Sequence, residues 1–323
     1  MFIALKPKAP QHNNGLAAGQ SSLGKFSFII NETARRHHWS GAGCLSIKTF
    51  HGKSFHGGEA LYDVGRGRYR VGSNSYLILN QSQPYEITVD SEKALESFCV
   101  FFEDGFAEEV HYSLVTPAPK LLDNPQPVQS ALAAPIRFFE KTYPHDDILS
   151  PALFRFKAEL QNRKGDEVWM NQQLHEILQR LLQVHRGVYR EVEALPAMRA
   201  STREELYRRL HRAKEFIAAS FDQPVTIDEM ARVACLSTNH FLRTFQQAFR
   251  QTPHQFLTTQ RLERAQKLLL HTDLPVTDVC LSVGFESLGS FSSLFRRKLG
   301  ASPEKFRREK GDFEEAPWFE VLK

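Results

Sequence analysis

Near its C-terminus the chain repeats one pattern of hydrophobic positions at an interval of about fifty residues. Apolar residues recur at every fourth position and so lie along one helical face, until a proline marks a turn before the next apolar residue. A short helical pattern and a tight turn precede each copy. The repeat predicts two tandem helix-turn-helix units, an architecture that indicates DNA binding. The copies are Phe241-x3-Phe245-x3-Phe249-x3-Pro253-x2-Phe256 and Phe291-x3-Phe295-x3-Leu299-x3-Pro303-x2-Phe306.

Flanking residues predict where the helices of the first unit begin and end. Thr226 and Glu229 have the spacing of a capping box, which predicts a helix that runs to about Ala234. After a turn, Ser237 is the predicted N-cap of a second helix that reaches about Arg250.

The second unit and the segments around the two units are predicted in the same way. Residues 283–285 form the predicted turn, and Ser287 begins the next helix. Residues 261–270 carry apolar positions at helical spacing, which predicts a rigid helix between the units. A further helix is predicted over residues 204–220.

The N-terminal part has a different pattern, in which short apolar runs alternate with Gly, Asn and Ser. Such runs predict an antiparallel sandwich or barrel over residues 25–115. Residues 1–24 show no periodicity and predict a flexible arm. Prolines recur throughout residues 115–151 and limit helix there to short stretches such as 128–143. The predicted strands cover residues 25–30, 44–50, 68–71, 76–79, 85–89 and 97–102.

A narrow apolar stripe follows. Met170, Leu174, Ile177, Leu181, Val184 and Val188 recur at spacings of 4, 3, 4, 3 and 4. This a/d stripe predicts one helix that packs against a single partner helix. The partner is either a helix over residues 151–161 or the same helix of a second chain, and both remain open. We assign residues 116–192 to a helical segment for dimerisation and residues 193–203 to a linker.

Composition and charge indicate the cellular compartment and the class of binding partner. The chain has 323 residues, of which 41% are hydrophobic, and it lacks both a membrane-spanning run and a secretory signal. Its four separated cysteines indicate neither zinc nor disulfides, so we expect a cytoplasmic protein. Residues 203–310 contain 18 Lys and Arg against 12 Asp and Glu. This basic region favours a nucleic-acid-binding module joined to a mildly acidic remainder.

An ordered set of motifs runs through both units. The stretch from about Leu206 to Arg308, about a third of the chain, resembles the AraC/XylS family of bacterial transcription regulators on these motifs. The motifs are Ile227-x2-Met230-Ala231, Leu236-Ser237, Phe241-x3-Phe245, Pro253-x2-Phe256, Arg261-Leu262-x2-Ala265, Val283-Gly284-Phe285, Phe291-x3-Phe295 and Ser302-Pro303-x2-Phe306-Arg307.

One residue departs from the family pattern. Cys235 stands at the first turn where the family usually has glycine, as Gly284 does at the second. A left-handed conformation there would cost a non-glycine residue roughly 1 kcal/mol or more. We interpret Cys235 as a buried small hydrophobe rather than a redox switch.

The resemblance implies which residues bind DNA, because the second helix of each unit enters the major groove. In the first unit these residues are Thr238, Asn239, His240, Leu242 and Arg243. Arg243 matches the O6 and N7 acceptors of guanine, and Asn239 suits adenine.

In the second unit the corresponding residues are poor base readers, since their side chains are short or apolar. They are Leu288, Gly289, Ser292 and Ser293. We therefore expect the first unit to read sequence and the second mainly to fix position. Phosphate contacts are assigned to Arg296, Arg297, Lys298, Arg307 and Arg308.

The rest of the chain resembles the family in layout only. The implied α+β fold has a cupin-like β-barrel sensor domain, the helical dimerisation segment and an all-α tandem helix-turn-helix domain over residues 204–310, followed by a tail at 311–323. Cupin-like enzymes bind metal through histidines, here His51 and His56 with Glu59, and His37 and His38 upstream. Their spacing does not place both histidines on one strand face, and Tyr85 replaces a later histidine, so we expect no metal and no cofactor.

We expect a small-molecule pocket in the β domain instead. Its candidate lining residues are Trp39, His56, Glu59, Tyr62, Tyr69 and Tyr85. The combined prediction is a dimeric transcription regulator, not an enzyme, which binds double-stranded DNA, a small effector and RNA polymerase. The alternatives are a cupin-type metal-dependent enzyme with an appended DNA-binding domain, and a regulator that senses a protein partner. The sequence specifies neither effector nor operator, nor whether transcription is activated or repressed.

Overall fold

The computed structural model of the chain divides into two compact units, Met1–Arg208 and Arg209–Lys323. The described residues are 19–23, 26–33, 36–41, 44–52, 59–65, 67–90, 95–123, 135–160, 162–163, 166–195 and 199–309. No helix within these ranges is long and apolar enough to cross a membrane.

The first unit contains two antiparallel β-sheets. The strands are β1 (Gly19–Leu23), β2 (Phe26–Thr33), β3 (Arg36–Gly41), β4 (Leu45–Gly52), β5 (Ala60–Asp63), β6 (Arg68–Val71), β7 (Ser75–Leu79), β8 (Tyr85–Asp90), β9 (Leu95–Phe102) and β10 (Thr142–Pro144). The first sheet has the order β1-β2-β9-β4-β7-β10, and the second has the order β3-β8-β5-β6.

The two sheets face each other across a buried apolar layer. Leu77 and Leu79 of β7, in the first sheet, pack with Ala60, Tyr62 and Val89 of the second. Alternate residues of a strand point to opposite faces, so each strand contributes every second side chain to this layer. The described strands form two separate sheets, and among them no pairing closes the barrel that we expected.

Most predicted strands are confirmed, and two predictions are wrong. The end of the predicted flexible arm is β1, which pairs with β2 although its sequence has no apolar alternation; residues 1–18 lie outside the described part. The predicted helix at 128–143 is wrong over residues 135–143, which contain no helix and end in β10. The Asn80 side chain bonds both the N–H and the carbonyl of Phe138 at 2.8 Å and so occupies the backbone groups that a helix would use there.

The apolar stripe of the first unit is buried inside its own chain. It lies on α4 (Glu167–Glu193), beside α1 (Phe106–Val115) and α3 (Ser150–Glu159); α2 spans Ala118–Asp123. The Phe156 ring of α3 lies 5.6 Å from that of Trp169, and Arg155 pairs with Glu176. The helix predicted at 151–161 is therefore one of two helices that pack on α4, and the stripe residues are buried or half-buried within the chain.

The second unit is helical throughout its described residues. Its helices are the end of α5 (Ala200–Ala219), α6 (Ile227–Val233), α7 (Thr238–Phe249), α8 (Pro253–His271), α9 (Val276–Ser282), α10 (Leu288–Leu299) and α11 (Pro303–Arg308). The capping box at Thr226 is confirmed. The connecting helix is longer than predicted, because Pro253 occupies its first turn behind a second capping box at Thr252 and Gln255.

The phenylalanines of the repeated pattern form the core of each helix-turn-helix unit. Phe241 and Phe245 are fully buried, with ring centroids 5.3 Å apart, and Phe245 contacts Phe256 of α8. The second copy reproduces these contacts with Phe291, Phe295 and Phe306. The proline of each pattern begins the helix that carries the last of these rings.

Arg261 of α8 connects the second helix-turn-helix turn to the loop after α5. Its Nε donates to the Phe221 carbonyl at 2.8 Å and its Nη2 to the Gln223 carbonyl at 3.1 Å. A Cβ on Gly284 would lie 2.9 Å from the Phe221 oxygen and 3.0 Å from Arg261 Nη2. The φ of Gly284 is +85°, so both conformation and space require glycine at this turn.

Cys235 occupies the corresponding turn of the first unit. Its φ is 51°, the left-handed conformation in which a non-glycine residue is strained. The side chain is exposed, so our interpretation of Cys235 as a buried hydrophobe is wrong. Ala234, one residue earlier, takes the buried position.

We expect Cys235→Gly to raise the free energy of unfolding by about 0.5–1 kcal/mol. Relief of left-handed strain contributes ~1–2 kcal/mol, and the greater unfolded-state entropy of glycine removes about half of it. Gly284→Ala should instead lower stability by more than about 1 kcal/mol, because its Cβ meets backbone. Urea denaturation of the full chain, followed by circular dichroism, measures both. A stability loss in Cys235→Gly would contradict the assignment of strain.

We expect Arg261→Met to lower the free energy of unfolding by about 2–3 kcal/mol, because two hydrogen bonds from a charged donor are lost. Lys267→Met on the same helix is the matched control, since Lys267 is exposed. The same denaturation experiment compares the two. Equal losses in both variants would show that Arg261 does not connect the second turn to the loop.

Candidate nucleic-acid interface

The exposed face of α7 carries most of the residues predicted to read bases. Asn239, His240 and Arg243 are exposed, and Leu242 is half-buried. Thr238 differs, because its Oγ1 donates to an Asp228 carboxylate oxygen of α6 at 2.7 Å. This bond fixes the start of α7 against α6 and leaves the three exposed side chains to face a ligand.

The same face continues beyond the predicted residues. Gln246 and Gln247 are exposed and lie three and four positions after Arg243, one helical turn further along α7. Glutamine can pair with adenine through two hydrogen bonds. Neither glutamine was predicted from the sequence, although helical spacing from Arg243 would have found them. The candidate surface on α7 is therefore longer than predicted, and we call these five exposed residues, from Asn239 to Gln247, the reading face.

The corresponding surface of α10 carries fewer side-chain groups that can hydrogen-bond to bases. Leu288 and Ser293 are exposed and Ser292 is half-buried. Ser287 accepts a hydrogen bond from the Ser290 N–H and so caps the helix, as predicted. Short hydroxyls and one leucine offer few donors to base edges.

Basic side chains cluster at the far end of α10. Arg296, Arg297 and Lys298 occupy its last turn and are all exposed. Cations there also favour the helix dipole, so part of their role is local stability. Their charge and exposure suit phosphate contacts.

Arg307 is placed differently from the other basic residues. It is half-buried, and its guanidinium donates to the Leu274 carbonyl in the loop before α9. The bond connects α11 to this loop, which leaves less of Arg307 for a phosphate than the exposed Arg308 offers.

The six predicted ligand-lining residues are not brought together as one described pocket. Tyr62 and Tyr69 belong to the buried layer between the sheets, whereas Glu59 pairs with Arg70 at 3.1 Å. Tyr85 is half-buried and lies 5.9 Å from the Tyr62 ring. His56 lies outside the described residues, and Trp39 is described only as backbone in β3.

Of the candidate metal ligands considered from the sequence, Glu59 alone has a described side chain. His37, His38 and His51 are described as backbone alone, and His56 is outside the described residues. Within the described part of the chain, no three His, Cys, Asp or Glu side chains are placed to hold a metal ion.

The first unit also has a polar cavity that the sequence did not indicate. Its volume is about 270 Å³, and its lining includes Leu45, Asn80, Asp104, Glu108 and Arg137. Burial, reinforced by Glu108, raises the pKa of Asp104. None of the six predicted lining residues borders this cavity.

Comparison with known proteins places the two helix-turn-helix units in one family. The family described as "Helix-turn-helix domain" matches residues 230–309. The melibiose operon regulatory protein of Escherichia coli (strain K12) is 34% identical over 93 residues, which are 29% of this chain and 31% of that protein. The transcriptional activator RhaS of Enterobacter sp. (strain 638) is 35% identical over 100 residues, 31% of this chain and 36% of the relative.

These matches span about a third of the length of the relatives. A solved structure, the C-terminal domain of AraT from Geobacillus stearothermophilus, is 29% identical, covers 34% of this chain and 92% of that one, and has a TM-score of 0.31. The matched residues 230–309 contain the end of α6 and all of α7, α8, α9, α10 and α11, and so include both turns and both second helices of the two units. The C-terminal unit of this chain therefore carries a helix-turn-helix domain similar to that of these regulatory proteins.

Proposed function

We propose that this chain is a sequence-specific, DNA-binding transcription regulator. The observation that carries the proposal is the reading face of α7, which exposes Asn239, Arg243 and two glutamines on a helix-turn-helix unit. The relatives that match this region are named as regulatory proteins. Selection of bound fragments from a genomic DNA pool tests the proposal, and failure to enrich any shared sequence would refute it.

The two helix-turn-helix units have different roles in this proposal. The first discriminates bases through α7, and the second contributes phosphate contacts through the basic end of α10. Helix α8 contacts α9 and α11 and also packs on α7, which supports a fixed spacing between the units. Two recognition helices at a fixed spacing can enter successive major-groove segments on one face of the duplex.

The proposed effector sensor is the β domain. The proposed active form is a homodimer, which acts in the cytoplasm and contacts RNA polymerase. Two apposed sheets with a shared interior support a ligand site in the first unit. Because the α4 stripe is internal, the dimer must use another surface; Leu122 and Val168 are exposed apolar candidates. Light scattering of the purified chain measures the oligomeric state.

We expect Arg243→Ala to cost about 1–3 kcal/mol of discrimination at one or two base pairs, because a bidentate contact to guanine is lost. Competition binding with single-substitution operators measures this change. Arg186→Ala, which removes an exposed arginine from the first unit, is the control. A uniform loss across all operators would show that Arg243 contacts the backbone.

We expect Arg297→Ala to weaken binding to all sequences alike and to lower the salt dependence of log K by about 1, because one phosphate contact is lost. Binding isotherms at several salt concentrations measure the slope. A change confined to particular base pairs would overturn the division of roles between α7 and α10.

A further inference from the structure

Lys48 of β4 is buried between the two sheets, with 1% of its surface exposed. Its Nζ donates to the Tyr85 hydroxyl at 3.2 Å, and Tyr85 belongs to β8 of the opposite sheet. The ammonium also lies 3.8 Å from the centre of the Phe101 ring and 4.8 Å from that of Tyr85. The side chain therefore crosses the interior of the sandwich.

No carboxylate among the described side chains pairs with Lys48. Two aromatic faces and one hydroxyl compensate only in part for the removal of an ammonium from water. Lys141, the other buried lysine among the described residues of this unit, is 7% exposed and is compensated differently: it bonds Tyr207 at 2.6 Å and pairs with Glu191 at 3.5 Å. The contrast identifies Lys48 as a cation without a counter-charge among the described side chains.

The neighbouring acidic groups do not supply that counter-charge. Cys99 lies opposite Lys48 in the β4–β9 register, and burial raises the pKa of its thiol although Lys48 lowers it. Burial, together with Cys99 and Tyr85, raises the pKa of the Tyr62 hydroxyl well above its usual value. Both groups therefore stay neutral near neutral pH, and the positive charge of Lys48 remains uncompensated by them.

Hydrogen-bond donors converge at the same point. Lys48 uses one of its three ammonium hydrogens on Tyr85. Because the Tyr85 oxygen accepts this bond, its own hydrogen is available, and among the described residues it has no acceptor. Tyr85 is half-buried, so the site has a side that reaches solvent. One cation with a neighbouring hydroxyl donor matches the single charge and two oxygens of a carboxylate.

We propose that Lys48 and Tyr85 bind the carboxylate of a small, largely apolar acid, which is the effector of the β domain; this rests on the proposed function. The apolar body lies against Phe101 and the layer formed by Tyr62 and Leu77, which flanks Lys48 in the β4–β7 register. The bound carboxylate neutralises Lys48 and accepts hydrogen bonds from both donors.

The test uses the full chain with benzoate and hexanoate, and with benzamide and hexanamide as uncharged matches. At tenfold the dissociation constant, each carboxylate should raise the melting temperature of the first unit by roughly 3–6 °C. The amides should leave it unchanged. Equal shifts from acids and amides, or no shift from either acid at 10 mM, would overturn the site.

Substitutions test whether Lys48 and Tyr85 are responsible for the carboxylate-dependent shift in melting temperature. Lys48→Met should abolish the carboxylate shift, and Tyr85→Phe should weaken carboxylate binding about tenfold, since a hydrogen bond to a charged group is lost. Lys120→Met, at an exposed lysine of α2, should behave as wild type. Because methionine removes an uncompensated buried charge, Lys48→Met without ligand should melt no lower than wild type. A shift that survives in Lys48→Met would refute the proposal, and Tyr85→Phe decides it if Lys48→Met does not fold.

DNA-binding measurements distinguish a failure of this site from a failure of the proposed function on which it rests. Operator affinity is measured for wild type and Lys48→Met with and without benzoate. If benzoate changes the operator affinity of wild type but not of Lys48→Met, the result supports both the carboxylate site and the proposed regulatory function. DNA affinity that benzoate leaves unchanged refutes the effector role, whereas the melting data decide independently whether Lys48 binds carboxylates.

Discussion

Burial of two phenylalanine pairs is the constraint on which the DNA-binding unit depends. Phe241 and Phe245 are four positions apart and fully buried, so α7 cannot rotate about its axis without exposing a ring. Arg243 lies two positions from Phe241, which is about 200° around a helix of 3.6 residues per turn. The reading face is therefore exposed as a geometric consequence of core packing.

The same constraint acts on α10 with a different chemical result. Phe291 and Phe295 are buried as their counterparts are, and Ser293 takes the position that corresponds to Arg243. A serine hydroxyl has one donor on a short side chain, whereas the arginine guanidinium has five donors on a long one, so identical packing presents a weaker base reader. The two units are equivalent in their cores and different in their surfaces.

The sequence predicted the C-terminal unit well because its signals are local. Helical spacing, capping boxes and the Gly284 turn each lie within a few residues, and the observed α6, α7, α9 and α10 follow them. Prediction was poorer where contacts between residues distant in the sequence determine the local structure. Asn80 binds the backbone of the non-helical segment at 135–143, and β1 is a strand only because β2 pairs with it. The exposure of Cys235 depends on turn geometry that its neighbours do not encode.

Lys48 illustrates the same limit for a binding site. Residues 45–48 alternate between apolar and polar, a pattern that places lysine on a solvated face. In the fold, Thr49 shares a face with Phe98, which contacts Phe156 of α3, whereas Lys48 faces the opposite sheet. Helices thus cover the apolar face of β4, and its polar face lies inside the sandwich. A buried lysine of this kind costs stability that a methionine would not, so binding explains its presence better than packing does.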